Sequence, residues 1–250
     1  MEWQNILKEI RQKKPVVHCI TNIVTVNDCA NILHAIGAAP VMAHHPMEVG
    51  EVTEKSSALV CNMGAMEDYE AMLIAGVRAR ELGHRIVIDP VGVAASEYRR
   101  TKCMELIEKI HPDCIRGNVS EINALVRKKS HRPGVDAHPG DVPDFGMIGE
   151  YAGRWNTVIV VSGEVDYICD GANVLEVKGG SGMYGKITGA GCMASVVIGA
   201  LMTVEPGTNG CVAACELMKH GGEEAEKRMN IKKGGSMTFR QELIDYLSIT

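Results

Sequence analysis

The chain has 250 residues, a length that fits one large domain or two small ones and can bury a core without help from disulfides or metals. Its 46% apolar and 23% charged residues are ordinary globular usage, which excludes a disordered or fibrous chain. With 26 basic against 31 acidic residues the net charge is −5 and no basic stripe runs along the chain, so no nucleic-acid partner is expected, while a small anionic ligand remains open.

Residues 1–14 pattern as a charged amphipathic helix without the apolar core of a signal peptide. No stretch approaches the ~20 apolar residues that span a bilayer, so no membrane partner is expected. The nine cysteines are scattered, odd in number and free of any C-x-x-C pair, and most sit in apolar runs as small hydrophobes. A reduced, cytoplasmic setting follows.

Short runs at 16–21, 58–62, 85–89, 114–117 and 157–162 read as buried strands, with helical patterns at 27–36, 67–82, 101–110 and 120–127 between them. This alternation implies parallel βαβ units with helices on both sheet faces. Between 128 and 144, Pro133, Gly134, Pro139, Gly140 and Pro143 break any periodicity. That segment, with His131 and His138, is either a lid or a solvated surface loop. Residues 167–169 and 174–177 flank Asp170-Gly171 and read as a hairpin. Beyond it the pattern is helical at 190–202, 208–228 and 239–247. Nothing divides the chain, so 1–250 is expected to be a single α/β domain.

In open α/β sheets, ligands bind in the crevice at the carboxyl ends of the strands. Here those ends carry Thr21-Asn22, Asn62-Met63-Gly64, Asp89-Pro90-Val91-Gly92, Arg116-Gly117-Asn118 and Ser162-Gly163-Glu164. Each alone is a turn; together they line one crevice. The segment G-K-I-T-G-A-G-C, 185–192, precedes an apolar helix. Gly189 and Gly191 would let the backbone approach a ligand, and the free N–H groups of the new helix would face an anion. The alternative is a glycine-rich helix entry with no ligand. Cys192 lies in that first turn, where the helix field is expected to lower the thiol below its usual ~8.5.

Asn118 and Glu121 have the spacing of a capping box, and Glu121 equally suits a phosphate-bound Mg²⁺. Asp89 is either a turn-forming Asp-Pro or a second carboxylate aimed at the crevice. Arg116 is either a phosphate clamp or half of a surface salt bridge. His44-His45-Pro46 carries no zinc expectation, because adjacent residues of an extended chain point to opposite sides.

Taken in order, Val17-His18-Cys19-Ile20-Thr21-Asn22, Pro40-Val41-Met42-Ala43-His44, Asp89-Pro90-Val91-Gly92, Ile115–Ile122, Thr188-Gly189-Ala190-Gly191-Cys192 and Gly235-Ser236-Met237-Thr238-Phe239-Arg240 span nearly the whole chain. In this the sequence resembles the hydroxyethylthiazole kinases of the ribokinase-like superfamily. Cysteine in G-A-G-C is informative, since related small-molecule kinases carry aspartate there. The resemblance implies a ribokinase-like three-layer sandwich with a mostly parallel sheet. It also implies transfer of the γ-phosphoryl of ATP, with Mg²⁺, to the hydroxyl of 4-methyl-5-(2-hydroxyethyl)thiazole.

On the same pattern Asn22, Met42 and Gly189 line the thiazole pocket, and Arg116, Ser162 and Gly191 contact ATP. Asp89 and Glu121 organise Mg²⁺, and Cys192 accepts the hydroxyl proton. The resemblance implies a homotrimer with active sites between subunits, so that Asn22 and Met42 face a neighbour's glycine loop. Two positions depart from the family: Cys19 stands where Asn is usual, with an expected effect on pocket polarity, and Ser162 replaces threonine but keeps the hydroxyl. The competing readings are a ribokinase-like kinase for another heterocyclic alcohol, a repair dehydratase of the same fold, and a non-catalytic nucleotide-binding regulator.

Overall fold

The computed structural model describes residues 2–127 and 142–250, so most of the expected 128–144 loop lies outside the described residues. The described residues form one sheet of eight strands: β1 (Val16–Ile20), β2 (Ala39–Val41), β3 (Ala58–Asn62), β4 (Arg85–Asp89), β5 (Cys114–Asn118), β6 (Val158–Ser162), β7 (Asp166–Cys169) and β8 (Val174–Val177). Their order is β2-β1-β3-β4-β5-β6-β7-β8. The first six are parallel, and β7 and β8 close the sheet with antiparallel pairs.

The helices are α1 (Trp3–Lys13), α2 (Val26–Ile36), α3 (Val49–Glu54), α4 (Tyr69–Leu82), α5 (Glu97–Ile110), α6 (Val119–Val126), α7 (Phe145–Trp155), α8 (Ala190–Met202), α9 (Thr208–Ile231) and α10 (Ser236–Ile249). Two hydrophobic cores flank the sheet. Helices α1, α2, α8, α9 and α10 cover one face, and α4, α5, α6 and α7 cover the other. This is the three-layer arrangement expected from the alternating pattern.

Because side chains alternate along a strand, each strand feeds both cores. Ala58 and Val60 of β3, Val87 of β4, Cys114 of β5 and Val158 and Val160 of β6 enter the α8 side, while Leu59, Cys61, Ile86, Ile88, Ile115, Ile159 and Val161 enter the other. The same period of two continues to the strand ends. It therefore turns Asn62, Asp89, Arg116 and Ser162 toward the α8 face, one from each of four adjacent strands.

Helix α8 is the pillar of that face, with ten of its thirteen residues buried. It lies so close to the sheet that a Cβ on Gly199 would stand 2.7 Å from Val60 Cγ2. At the site end, α6 begins with the expected capping box: Asn118 Oδ1 accepts from Glu121 N, and Glu121 returns a carboxylate bond to Asn118 N. The Asp170-Gly171 hairpin also forms, with Asp170 Oδ1 accepting from Ala172 and Asn173. Three elements had no counterpart in the sequence reading: β2, α3 and α7.

Candidate active site

The parallel strands end together, and the register sets Asn62 beside Asp89 and Asn118 beside Ser162. Above them stands the N-terminus of α8. Its N-cap, Gly189, has φ +87°, and a Cβ there would come within 2.8 Å of Thr25 Cγ2, so the turn needs glycine for both conformation and space. With no capping side chain, the first-turn N–H groups of α8 face the crevice with the positive end of the helix dipole.

Arg116 lies flat against this turn. A Cβ on Gly191 would overlap its Nη1, while its Nη2 donates to Ser162 Oγ at 2.7 Å and Ser162 in turn donates to Gly117 O at 3.2 Å. Arg116 thus spends its hydrogen bond inside the crevice, as a clamp would, and not on a surface carboxylate. A cavity of about 20 Å³ beside it is lined by Arg116, Ser162, Asp166, Cys215 and Met218 among others.

Asp89 and Glu121 are both buried beneath the crevice floor. Asp89 Oδ2 accepts from Ser195 Oγ at 2.8 Å and Asn62 Nδ2 at 3.1 Å, whereas Oδ1 has no partner among the described residues. Burial raises its pKa, against the opposing charge of Arg116 and those two hydrogen bonds. Glu121 accepts from Gly92 N at 3.1 Å and Asn118 N at 3.0 Å. Burial first, and then the charge of Asp89, push its carboxyl up to about 7.

Cys192 Sγ receives Asn62 Nδ2 at 3.2 Å and Asn22 Nδ2 at 3.6 Å. The expected lowering of this thiol does not occur. Burial and the nearby Asp89 charge raise it, and the donors around it only partly compensate. The helix field is weaker here than the loss of solvent. Thr25 is one of those donors, and with Thr21 it also faces the Cys29 thiol. Asn22 thus contacts the Cys192 of its own chain. Met42 follows β2 directly, one strand further out and half-buried, its carbonyl bonded by His44 Nδ1 at 3.2 Å. Its own segment is tied back by His18, whose Nε2 donates to Ala43 O at 2.8 Å.

Residues 7–250 match the model of the hydroxyethylthiazole kinase family. The chain belongs to that family. It is 40% identical over 245 residues to the hydroxyethylthiazole kinase of Listeria monocytogenes serovar 1/2a, covering 97% of this chain and 90% of that one. It is 36% identical over 257 residues to that of Methanobrevibacter smithii, with the same coverage. The solved hydroxyethylthiazole kinase of Pyrococcus horikoshii OT3 superposes with a TM-score of 0.87 at 33% identity, over 99% of this chain and 93% of that one. A ribokinase-like protein of Enterococcus faecalis shares the fold at a TM-score of 0.64 and 12% identity.

Set within this family, the chain's two departures differ in weight. Cys19 is fully buried in the α8-side core with its Sγ near Val17 O, so its sulfur adds to packing and not to pocket polarity. Ser162 keeps the hydroxyl that Arg116 uses. Sequence reasoning missed Lys219, which bonds Gly163 O and Glu164 O at 2.8 Å each, pairs with Asp166 at 3.3 Å, and so fixes the turn after Ser162. It also missed Arg99, whose Nη1 bonds Met63 O at 2.5 Å below two site loops. Lys219 and the Arg99 bond to Met63 act across 36 or more residues, where no local motif could flag them.

Proposed function

We propose that this protein transfers the γ-phosphoryl group of ATP to the hydroxyl of 4-methyl-5-(2-hydroxyethyl)thiazole. The observation that carries this is the convergence, in a chain of the thiazole kinase family, of Arg116, Ser162, Asp89, Glu121 and Cys192 around one helix N-terminus. A binder without turnover would need neither the buried carboxylate pair nor a proton acceptor.

The carboxylates suit Mg²⁺. Asp89 has an oxygen with no partner among the described residues, each Glu121 oxygen keeps a lone pair beyond its single N–H bond, and Mg²⁺ commonly takes one or two carboxylates plus waters and phosphate. Bound there, the ion would supply charge neutralisation to the phosphate oxygens. Arg116, Ser162 and the Gly189–Gly191 turn hold the nucleotide's phosphates against the free N–H groups of α8, and Asn22, Met42 and Gly189 shape the thiazole pocket. Phosphoryl transfer runs through a loose transition state, so positioning and charge do most of the work. Cys192 accepts the hydroxyl proton late as its thiolate, the form that burial and the Asp89 charge disfavour in the free protein, and this holds the aid to roughly 10²-fold, the lower end of general-base effects.

The active form is a homotrimer with active sites between subunits. Ile23 (84% exposed), Val24 (69%) and Met47 (84%) flank Asn22 and the Met42 segment, and these bare apolar side chains suit burial by a neighbouring subunit. The site of action is the cytoplasm, where ATP is available and nine unbridged cysteines stay reduced. Among the described residues, no helix is long and apolar enough to cross a membrane.

A coupled ADP-release assay with Mg-ATP and the thiazole, with product mass checked for one added phosphate, tests the reading. Thiazole-dependent ADP and the phosphate ester support it. ATP binding without turnover, across thiazole, pyrimidine and pyridoxal alcohols, overturns it in favour of a regulator.

A further inference from the structure

Asn62 closes β3, a strand whose other residues, Ala58, Leu59, Val60 and Cys61, are all buried and apolar. It is itself 1% exposed. Burying an amide is unfavourable unless its donors and acceptors are all matched, and here they are. Its Oδ1 accepts from Gly64 N at 2.8 Å and Asn22 Nδ2 at 3.2 Å, and its Nδ2 donates to Asp89 Oδ2 at 3.1 Å and Cys192 Sγ at 3.2 Å. The Gly64 N–H can only donate, so it fixes which end of the amide is oxygen and leaves one orientation. Gly64 also closes tightly over it, since a Cβ there would lie 2.7 Å from Asn62 Oδ1.

All four partners belong to the crevice. Two of them are groups with separate tasks: the carboxylate with an unpartnered oxygen and the thiol of the α8 turn. We infer that Asn62 is a positioning residue of the phosphoryl-transfer site, one amide whose two N–H groups hold Asp89 and Cys192 in a fixed mutual geometry. With Ser195 it engages Asp89 Oδ2 and leaves Oδ1 without a partner among the described residues. Through Asn22 the same amide reaches the thiazole side. The inference rests on the proposed kinase activity but is separable from it.

The test uses the full-length protein carrying Asn62→Leu, which keeps the volume and removes every hydrogen bond, and Asn62→Ser, which retains one donor. kcat and both KM values would be measured beside crystal structures of the two variants. Asn62→Leu is expected to lower kcat about 100-fold with both KM values within about threefold, and Asn62→Ser to fall between it and the parent protein. In the Leu variant Asp89 and Cys192 are expected to leave their present rotamers. A kcat within about threefold of the parent, or a loss carried only by KM, overturns the inference. So do unchanged rotamers in the Leu variant or, should that variant not fold, in the Ser variant. If the parent makes no thiazole phosphate, the kinase reading fails, and the rotamers still decide whether Asn62 positions the pair.

Discussion

Replacing Gly191 by alanine should weaken ATP binding without removing any polar group. Gly191 is in the first turn of α8 and outside the positive-φ residues, so the backbone accepts alanine, which gains about 0.5–1 kcal/mol of helix preference over glycine. The new methyl would overlap Arg116 Nη1 and stand 3.4 Å from Cζ and 3.6 Å from Nη2. A guanidinium is the far end of a flexible side chain, so it swings away and leaves Ser162. That bond, with one charged partner, is worth about 1.5–3 kcal/mol. The helix gain offsets only part of this, leaving a net loss of about 0.5–2.5 kcal/mol, so thermal unfolding should fall by a few degrees. Binding has no such offset: without the charged hydrogen bond from Arg116 to phosphate, of similar worth, KM for ATP rises roughly 10–100-fold, since 1.4 kcal/mol is tenfold. The assay is steady-state turnover against MgATP at saturating thiazole, repeated in an Arg116→Ala background. There the alanine at 191 has nothing to displace and should add no further rise. An equal rise in both backgrounds, or an unchanged KM in the first, refutes steric displacement of Arg116.

Cys192→Ala should cut kcat roughly 10²-fold while calorimetry still detects MgATP binding, and Cys192→Asp should retain substantial activity; an unchanged kcat in the alanine variant removes the proton-acceptor role. Glu121 titrates near 7 in the fold against an ordinary 4.5, so the native state holds the extra proton between those values. Its contribution is therefore fully present below about 4.5 and lost as pH rises through about 7. Metal-free protein should accordingly unfold at lower denaturant at pH 8 than at pH 5 once other groups are controlled with Glu121→Gln, and Mg²⁺ at pH 8 should restore the difference. A pH dependence identical in the Gln variant would contradict this. Val24→Asp places a charge on the bare apolar flank and should shift sedimentation toward monomer, whereas an undisturbed trimer would show that this face is not buried by a neighbour.

The sequence made the central strands legible because Val, Ile and Cys cluster in short runs between helical patterns, and β3 and β4 match the expected bounds. Strand β2 escaped because it is three residues long with Pro40 in the middle, tolerable only at a sheet edge, where it pairs with β1 alone. Helix α7 escaped because Gly146, Gly149 and Gly153 weaken its intrinsic preference. It is Gly171 of the hairpin that needs the space, since a Cβ there would stand 3.0 Å from Gly153 Cα, whereas a Cβ on Gly153 itself would meet nothing within 4 Å. The strand-end residues were legible through period and position. Asn62 was visible only as part of a turn, because its bonds to Asp89 and Cys192 cross 27 and 130 residues. The direction of the Cys192 shift was not legible either, since helix position is local while desolvation depends on everything packed around it.

All nine cysteines are free and buried, and even Cys192, the most accessible of them, exposes only 7% of its surface. A thiol reagent of ordinary bulk therefore meets a nearly silent protein until the chain opens. The count of labelled sulfurs against time becomes an opening clock with nine reporters spread from β1 to α9. Labelling of Cys192 ahead of Cys103 or Cys211 would time the breathing of the crevice, and labelling of all nine together would time the collapse of both cores at once.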